Sequence, residues 1–543
     1  MSILKHLFLP LFCTLVCHVA SGYLSNFIFP WLNAEGKQSH SCGAHRGYKG
    51  EESCQFAYSG DSSLQYYLFM MLNPVIICLA MVLYDPEDSF VTYLKLPFTI
   101  CKDMIKGIEV GWVKTSVVHR SILEDLVRNL KYKPYTVHTI DGYHVCFEDH
   151  FCIGNGSNGT EVFVGLGNDG DEVAVKRVNS KFSSMVDLEK EVLSRLKDNP
   201  NILTYRFKTT ESKRFAYLVT DLQDKNLKQY VSSKEVSLPD LQKNGPFILR
   251  QILLGMNALH DENILHRDLK PENVLVNFQG KVASTNPKVV LGDFDICRKL
   301  QEGQETHFSI PRGADSWRAL ESLPDADDDD PLSESNVNEV SYTKKSDIQV
   351  LGMLFYFVLT KGKHPFGKQE IFRPGNISLG KSDLSDLTDD VAKDLIQWMI
   401  KHDINERPTV NQCLKHPYVR SPEENFRLVK AVGNEMEIKT KKKDSAVVRE
   451  LNQIQSLSNW SKQIDKEVYD KFNHPASRYY DNGAEFLRFI RNVTEHWDPA
   501  VSVQNGTPQA YFQRKFPKLP MIVHRILRKD SSWCERDSLK DFF

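Results

Sequence analysis

Cysteine is sparse and unpatterned in this chain: its 11 Cys are scattered, with no CxxC pair and no His/Cys cluster at zinc-like spacing. That excludes a structural zinc module, and over most of the chain it excludes a disulfide framework. An excess of one charge is also missing. The 68 Lys and Arg face 70 Asp and Glu, a net charge of -2, so the molecule as a whole does not attract nucleic acid. Any such contact must come from a local basic surface. No self-similarity appears near a period of about 33 residues, which excludes an ankyrin-type array. What is present is ordinary for globular domains: 543 residues, 41% apolar and 25% charged, enough for roughly three or four folded units.

Two apolar runs stand near the start. Residues 3–20 give a short basic beginning and an apolar stretch, followed by small residues at Ala20, Ser21 and Gly22. That is the pattern of a signal peptide or an uncleaved anchor over residues 1–22. The second run, Tyr66 to Tyr84, is uncharged and interrupted only by Asn73 and Pro74. At 1.5 Å per residue it spans about 28 Å, close to a bilayer's hydrocarbon core, so a transmembrane helix is expected over 66–84. A buried core helix is the rival reading. Lys and Arg flank the run about equally and do not set its orientation. Residues 23–65 are then a short lumenal segment in which Cys42 and Cys54 can pair. Asn158-Gly159-Thr160 and Asn492-Val493-Thr494 are glycosylation acceptors. Both lie inside stretches assigned below to active sites, where glycans would block them. Residues 85–543 are therefore expected to face the cytosol, with 85–144 as a linker.

From about residue 145 the chain changes character. Gly154, Gly156 and Gly159 precede a strand-like run ending in Val173-Ala174-Val175-Lys176. Glycines there let backbone N–H groups approach phosphates, and Lys176 is placed to meet the α- and β-phosphates of ATP or ADP. Glu189 is the expected partner of Lys176, because Val192, Leu193 and Leu196 continue its helical stripe; Glu191 is the rival. Further on, His266-Arg267-Asp268-Leu269-Lys270-Pro271-Glu272-Asn273 offers a base in Asp268, a cation in Lys270 and a metal-binding amide in Asn273. Asp293-Phe294-Asp295 follows an apolar run, and Asp293 is placed to hold Mg²⁺. Pieces of these types in this order resemble a protein kinase over residues 145–420. Asp347, Gly352 and an Arg407–Glu321 pair are expected to be structural, and His260 and His416 to be packing residues. Three positions depart from the kinase pattern: Asp295 replaces a glycine, Leu320 a proline, and Glu161 an apolar loop residue. Nucleotide binding is expected to survive these changes, while phosphoryl transfer is left open. Thr306, Ser309 and Ser316 are candidate phosphosites, and the acidic run 325–330 reads as a solvated loop.

Residues 421–543 are too long for a tail and rich enough in Trp, Phe, Leu and Ile to fold. The stretches Arg478-Tyr479-Tyr480-Asp481, Phe486 to His496, and Tyr511 to Leu519 resemble the ribonuclease core of ribonuclease L and of the inositol-requiring stress-sensor kinase/endoribonucleases. The fold expected from this resemblance is a bilobal α+β kinase fold followed by an all-α ribonuclease domain, behind an N-terminal membrane segment. The resemblance implies an RNA substrate, self-association as a dimer or higher oligomer, and an endoplasmic-reticulum membrane. No metal cluster is seen in this stretch, so cleavage is expected to need only acid–base chemistry on the 2′-OH, without a cofactor. At the matching positions the resemblance implies His496 as acid or base, Tyr479 as its partner, Arg491 as phosphate clamp and Asn492 as the residue ordering the loop. Tyr480 takes the place of Tyr479 if the match slips by one. Trp460 is expected to pack beneath the site. The run Lys439 to Lys443 is either a solvated linker or a phosphate contact. Neither the repeats of ribonuclease L nor a large lumenal sensor is present in this sequence.

Overall fold

The computed structural model describes residues 111–543, apart from 157–158, 210–213, 282–285, 325–338, 441–444, 474–477 and 498–505. The signal or anchor segment, the Cys42–Cys54 pair, the span 66–84, Asn158 and the acidic run 325–330 lie outside the described residues. Among those described, no helix is long and apolar enough to cross a membrane.

The first lobe is a seven-stranded antiparallel sheet. Its strands are β1 (His138–Ile140), β2 (Tyr143–Val145), β3 (Cys152–Asn155), β4 (Glu161–Gly167), β5 (Glu172–Asn179), β6 (Tyr205–Thr209) and β7 (Phe215–Asp221). The order is β1-β2-β4-β5-β7-β6, with β3 also pairing β4. In β5, alternation buries Val173 and Val175 on one face and aims Lys176 away from them, between Val162 of β4 and Leu218 of β7. One correction concerns the segment expected to be a linker. From Trp112 onward its described part is built into this lobe. A helix α1 (Arg120–Tyr132) buries Leu123, Leu126 and Leu130, an i, i+3, i+7 stripe, against the sheet core, and β1 and β2 extend the sheet. Upstream of α1, Glu172 accepts from the Trp112 indole (2.9 Å) and the Thr115 hydroxyl (2.5 Å).

The second lobe is helical. Helix α3 (Leu238–Asp261) starts at a Ser237/Asp240 capping box, and α4 (Lys344–Leu359) starts at a Thr343/Ser346 box. Helix α2 (Ser183–Arg195) belongs to the first lobe and turns Val186, Glu189, Val192 and Leu193 inward. In the second lobe a hairpin of β8 (Val274–Asn277) and β9 (Lys288–Leu291) leads into Asp293. Asp347 in α4 accepts from the backbone N–H of His266 (3.1 Å) and Arg267 (3.2 Å) and from His260 (2.9 Å), which pins the loop that carries Asp268. The expected pair forms, with Arg407 Nη1 2.9 Å from Glu321 Oε1.

After α5 (Asp390–Met399) the chain enters the C-terminal unit, in which every described element is helical. Its main helices are α6 (Pro422–Asn434), α7 (Ala446–Gln453), α8 (Lys466–Phe472), α9 (Gly483–Glu495), α10 (Pro508–Lys515) and α11 (Leu519–Leu527). Trp460 is fully buried and stacks on Phe486, with Phe489 and Tyr479 around it.

The junction between the two units is polar and buried. Asp394 of α5 accepts from His416 (3.0 Å) and Arg528 (2.8 Å), and His524 of α11 lies between His416 and Phe543. Burial holds the His524 imidazole far below the usual histidine range, and the adjacent His416 and Arg528 add to this. Burial likewise lowers His416 against the pull of Asp394. Asp394 is lowered too: burial opposes its ionisation, but the His416 and Arg528 bonds outweigh that. For the histidines, the unfolded chain binds more protons than the folded one below pH about 6.5, so stability falls as the pH drops through that region. For Asp394, the contribution is complete above the unfolded carboxylate range and is lost at still lower pH. We therefore expect the thermal midpoint to fall between pH 7 and pH 5, with a flatter profile in His524→Leu. A midpoint constant over that range would contradict this.

Candidate functional site

Two sites are assembled, one in each unit. In the first, β5, α2 and the turn after β9 converge on Lys176. Its Nζ lies 2.8 Å from Glu189, 3.1 Å from Asp293 and 2.7 Å from Asp295. Glu191 is not part of this group; it is exposed and pairs with Arg195 on its own helix. One ammonium cannot neutralise three carboxylates. Burial pushes the Glu189 carboxyl up, with Asp295 and Asp293 adding to it, while Lys176 is raised because the three acids outweigh its desolvation. Oxygen atoms of Glu189, Asp293 and Asp295 lie within 4.8 Å of one another. An oxygen-rich, under-neutralised group of this kind suits a hard divalent cation such as Mg²⁺.

The facing loop is equally organised. Asp268 accepts from Lys270 (2.6 Å), Asn273 Nδ2 (3.1 Å) and the Ala314 N–H (3.1 Å). The backbone carbonyl of Asn273 accepts from the Gly292 N–H (3.0 Å), tying this loop to Asp293. Gly313 has φ +87°, and a Cβ there would lie 2.7 Å from the Arg267 carbonyl, so only glycine lets the chain around residue 313 cross Asp268 this closely. Gly154 lies in β3, paired with Val162 of β4; just after the strand the Gly156 N–H bonds the Thr160 carbonyl (2.8 Å), and Gly159 has φ +69°. Glu161 does not face the Lys176 group. It pairs with Arg177 (2.7 Å), whose guanidinium lies over Phe147 and Phe163.

In the second site, α9 carries Arg491 and Asn492. Arg491 Nη1 donates to Asn492 Oδ1 (2.7 Å), and Asn492 Nδ2 donates to the Tyr479 hydroxyl (2.6 Å). This chain fixes the amide orientation and leaves the Tyr479 hydroxyl proton available to a further acceptor. Asn492, expected to order the loop, lies within α9, which runs on to Glu495, and its side chain bridges Arg491 and Tyr479. Tyr479 is 6% exposed and packs on Phe489, whereas Tyr480 is 61% exposed. His496 is the C-cap of α9, one turn beyond Asn492, and its imidazole is exposed. Arg488, on the same helix, is 8% exposed, pairs with Glu485 (2.6 Å) and covers the Tyr479 ring at 4.1 Å. The signal that could have found it is Glu485 three residues earlier, an i, i+3 partner on the same helix. The run Lys439 to Lys443 is described only as far as Lys439 and Thr440.

The two folded units are thus a protein kinase domain, matched over residues 147–419, and a ribonuclease 2-5A domain, matched over residues 425–543. Similarity to whole proteins runs across both. The chain is 30% identical over 414 residues to the human serine/threonine-protein kinase/endoribonuclease IRE2, covering 73% of this chain and 42% of that protein. It is 31% identical over 412 residues to the serine/threonine-protein kinase/endoribonuclease ire-1 of Caenorhabditis elegans, covering 71% of this chain and 39% of the relative. It is 30% identical over 407 residues to the sensor for unfolded proteins in the ER ire1 of Schizosaccharomyces pombe, with 69% and 37% covered. The chain belongs to the family of serine/threonine-protein kinase/endoribonucleases. It spans about two fifths of the length of these relatives.

Proposed function

We propose that the chain is a membrane-anchored endoribonuclease whose kinase-like domain binds nucleotide and, by self-associating, switches RNA cleavage on. The observation that carries this reading is the continuous hydrogen-bond chain from Arg491 and Asn492 of α9 to Tyr479 in the segment before it, with His496 one turn beyond Asn492. A 2′-OH attacks the adjacent phosphorus, the P–O5′ bond breaks, and a 2′,3′-cyclic phosphate and a 5′-OH result. Two protons must move, one from the attacking oxygen and one to the leaving oxygen, and His496 and Tyr479 are the groups suited to exchange them. Arg491 stabilises the charge on the pentavalent phosphate. The site's donors are a phenol, an imidazole, an amide and a guanidinium, a set suited to acid–base work with no cofactor. Anchoring rests on the apolar run 66–84, and an endoplasmic-reticulum location rests on the likeness to the Schizosaccharomyces sensor for unfolded proteins in the ER.

At the kinase-like site, Lys176, Glu189 and the loop glycines Gly154, Gly156 and Gly159 would hold ATP or ADP, and Asn273 and Asp293 would hold Mg²⁺, which supplies charge neutralisation at the phosphates. The residue Asp295 takes a donor of Lys176 that phosphate oxygens would use. Asp295→Gly is therefore expected to raise affinity for Mg-ADP about tenfold, or about 1.4 kcal/mol, measured by calorimetric titration. Equal or weaker binding would show that Asp295 does not compete. A second reading, a Ser/Thr kinase without RNA cleavage, is favoured by the intact Asp268, Lys270 and Asn273 group. The test is to incubate the full chain with a stem-loop RNA, with and without ADP and Mg²⁺, while sedimentation follows self-association. Cleavage that rises together with oligomer supports the proposal. Phosphate incorporation without cleavage would replace it with the second reading.

A further inference from the structure

We propose that Asn434, at the end of α6, is the positioning residue for the Arg491 guanidinium, and that α6 is built to keep that guanidinium oriented but not neutralised. The inference rests on the ribonuclease reading above. Three sets of contacts lead to it.

Helices α6 and α9 pack face to face, and Gly433 sits where they come closest. A Cβ at Gly433 would lie 2.7 Å from the Leu487 carbonyl and 3.0 Å from Arg491 Cβ. Only a glycine allows this approach, and it brings the next residue, Asn434, beside Arg491. Arg491 Nε then donates to Asn434 Oδ1 at 2.8 Å, while Nη1 donates to Asn492 Oδ1 at 2.7 Å. Two edges of the fork are thus fixed from two different helices. Among the described residues Nη2 has no acceptor, which leaves it for a phosphate oxygen.

Both acceptors are neutral amides, and among the described residues no carboxylate forms an ion pair with Arg491. The contrast is on the same helix: Arg488, three residues earlier, is buried and held by the Glu485 carboxylate at 2.6 Å. Arg488 is satisfied as a packing residue, whereas Arg491 keeps its charge.

The remaining threat to that charge is Glu495, four residues after Arg491 and so its natural i, i+4 partner. Lys430, one turn before Asn434 on α6, takes Glu495 at 2.8 Å. One helix therefore supplies both the neutral acceptor that aims Arg491 and the cation that diverts its competitor. Asn434 is exposed, so its bond contributes little to folding, and a conserved thermal midpoint is expected on its removal.

The experiment is stem-loop cleavage by the full chain in wild type, Asn434→Ala, Arg491→Lys and the double variant, with thermal midpoints measured on each. Misaiming a transition-state contact costs up to about a hundredfold. Asn434→Ala is expected to lower kcat/KM at least about tenfold at an unchanged midpoint. In the Arg491→Lys background, where the fork is gone, the same change should cost less than about twofold, because it acts through Arg491. Wild-type rates in Asn434→Ala, or an undiminished loss in the Arg491→Lys background, would overturn the assignment while leaving the ribonuclease reading intact. Absence of cleavage by the wild type would remove both.

Discussion

His496→Ala is expected to lower RNA cleavage by about 10²–10⁴-fold, the range for losing one general acid or base, while nucleotide binding and the thermal midpoint stay at wild-type values. The second half of that expectation follows from where the residue sits. Its imidazole is exposed at the end of α9, and the helix end is closed by the His496 backbone N–H, which bonds the carbonyls of Asn492 and Val493. Alanine keeps that N–H. Tyr479→Phe is a different kind of change: it removes the acceptor of Asn492 Nδ2, so the Arg491–Asn492 chain loses its anchor as well as a proton. A His496→Ala protein that cleaves within about threefold of wild type would take His496 out of the chemistry.

Arg407→Met is expected to be the most damaging single change to folding. The side chain is 0% exposed and donates to Glu321 (2.9 Å) and to the backbone carbonyls of Lys401 (2.7 Å), Lys345 (3.2 Å) and His402 (3.3 Å). Removing it leaves a partly buried carboxylate without its cation and takes one donor from each of three carbonyls. Breaking a buried pair from one side costs about 3–5 kcal/mol, a large part of the roughly 5–15 kcal/mol that holds a domain folded. Denaturant titration should show the loss at an unchanged slope. A change below about 1 kcal/mol would mean that the site relaxes or rehydrates.

Much of the kinase lobe was legible because its chemistry requires given residue types at given spacings. His266 to Asn273 and Asp293 could be placed before any fold was known, and the helical stripe through Val192, Leu193 and Leu196 separated Glu189 from Glu191. Other features depend on contacts that no local pattern encodes. Leu123, Leu126 and Leu130 form a plain amphipathic stripe, yet it lies in a segment whose position between a membrane run and a catalytic domain suggested a tether. The departure at Asp295 was visible, but its bond to Lys176 depends on the turn at Asp293, which has φ +60°. Tyr479 and Tyr480 are adjacent, and only burial decides which one meets Asn492. Asn434 stands 57 residues from Arg491; nothing in the sequence around either residue indicates that two helices cross there.

The most direct measurement is the end chemistry of RNA cut by the full chain, at high protein concentration, in EDTA and without nucleotide. Acid–base cleavage by Tyr479, Arg491 and His496 predicts fragments ending in a 2′,3′-cyclic phosphate, followed by fragments beginning with a 5′-OH. Fragments carrying a 5′-phosphate, or uncut RNA in a sample shown to be self-associated, would contradict it.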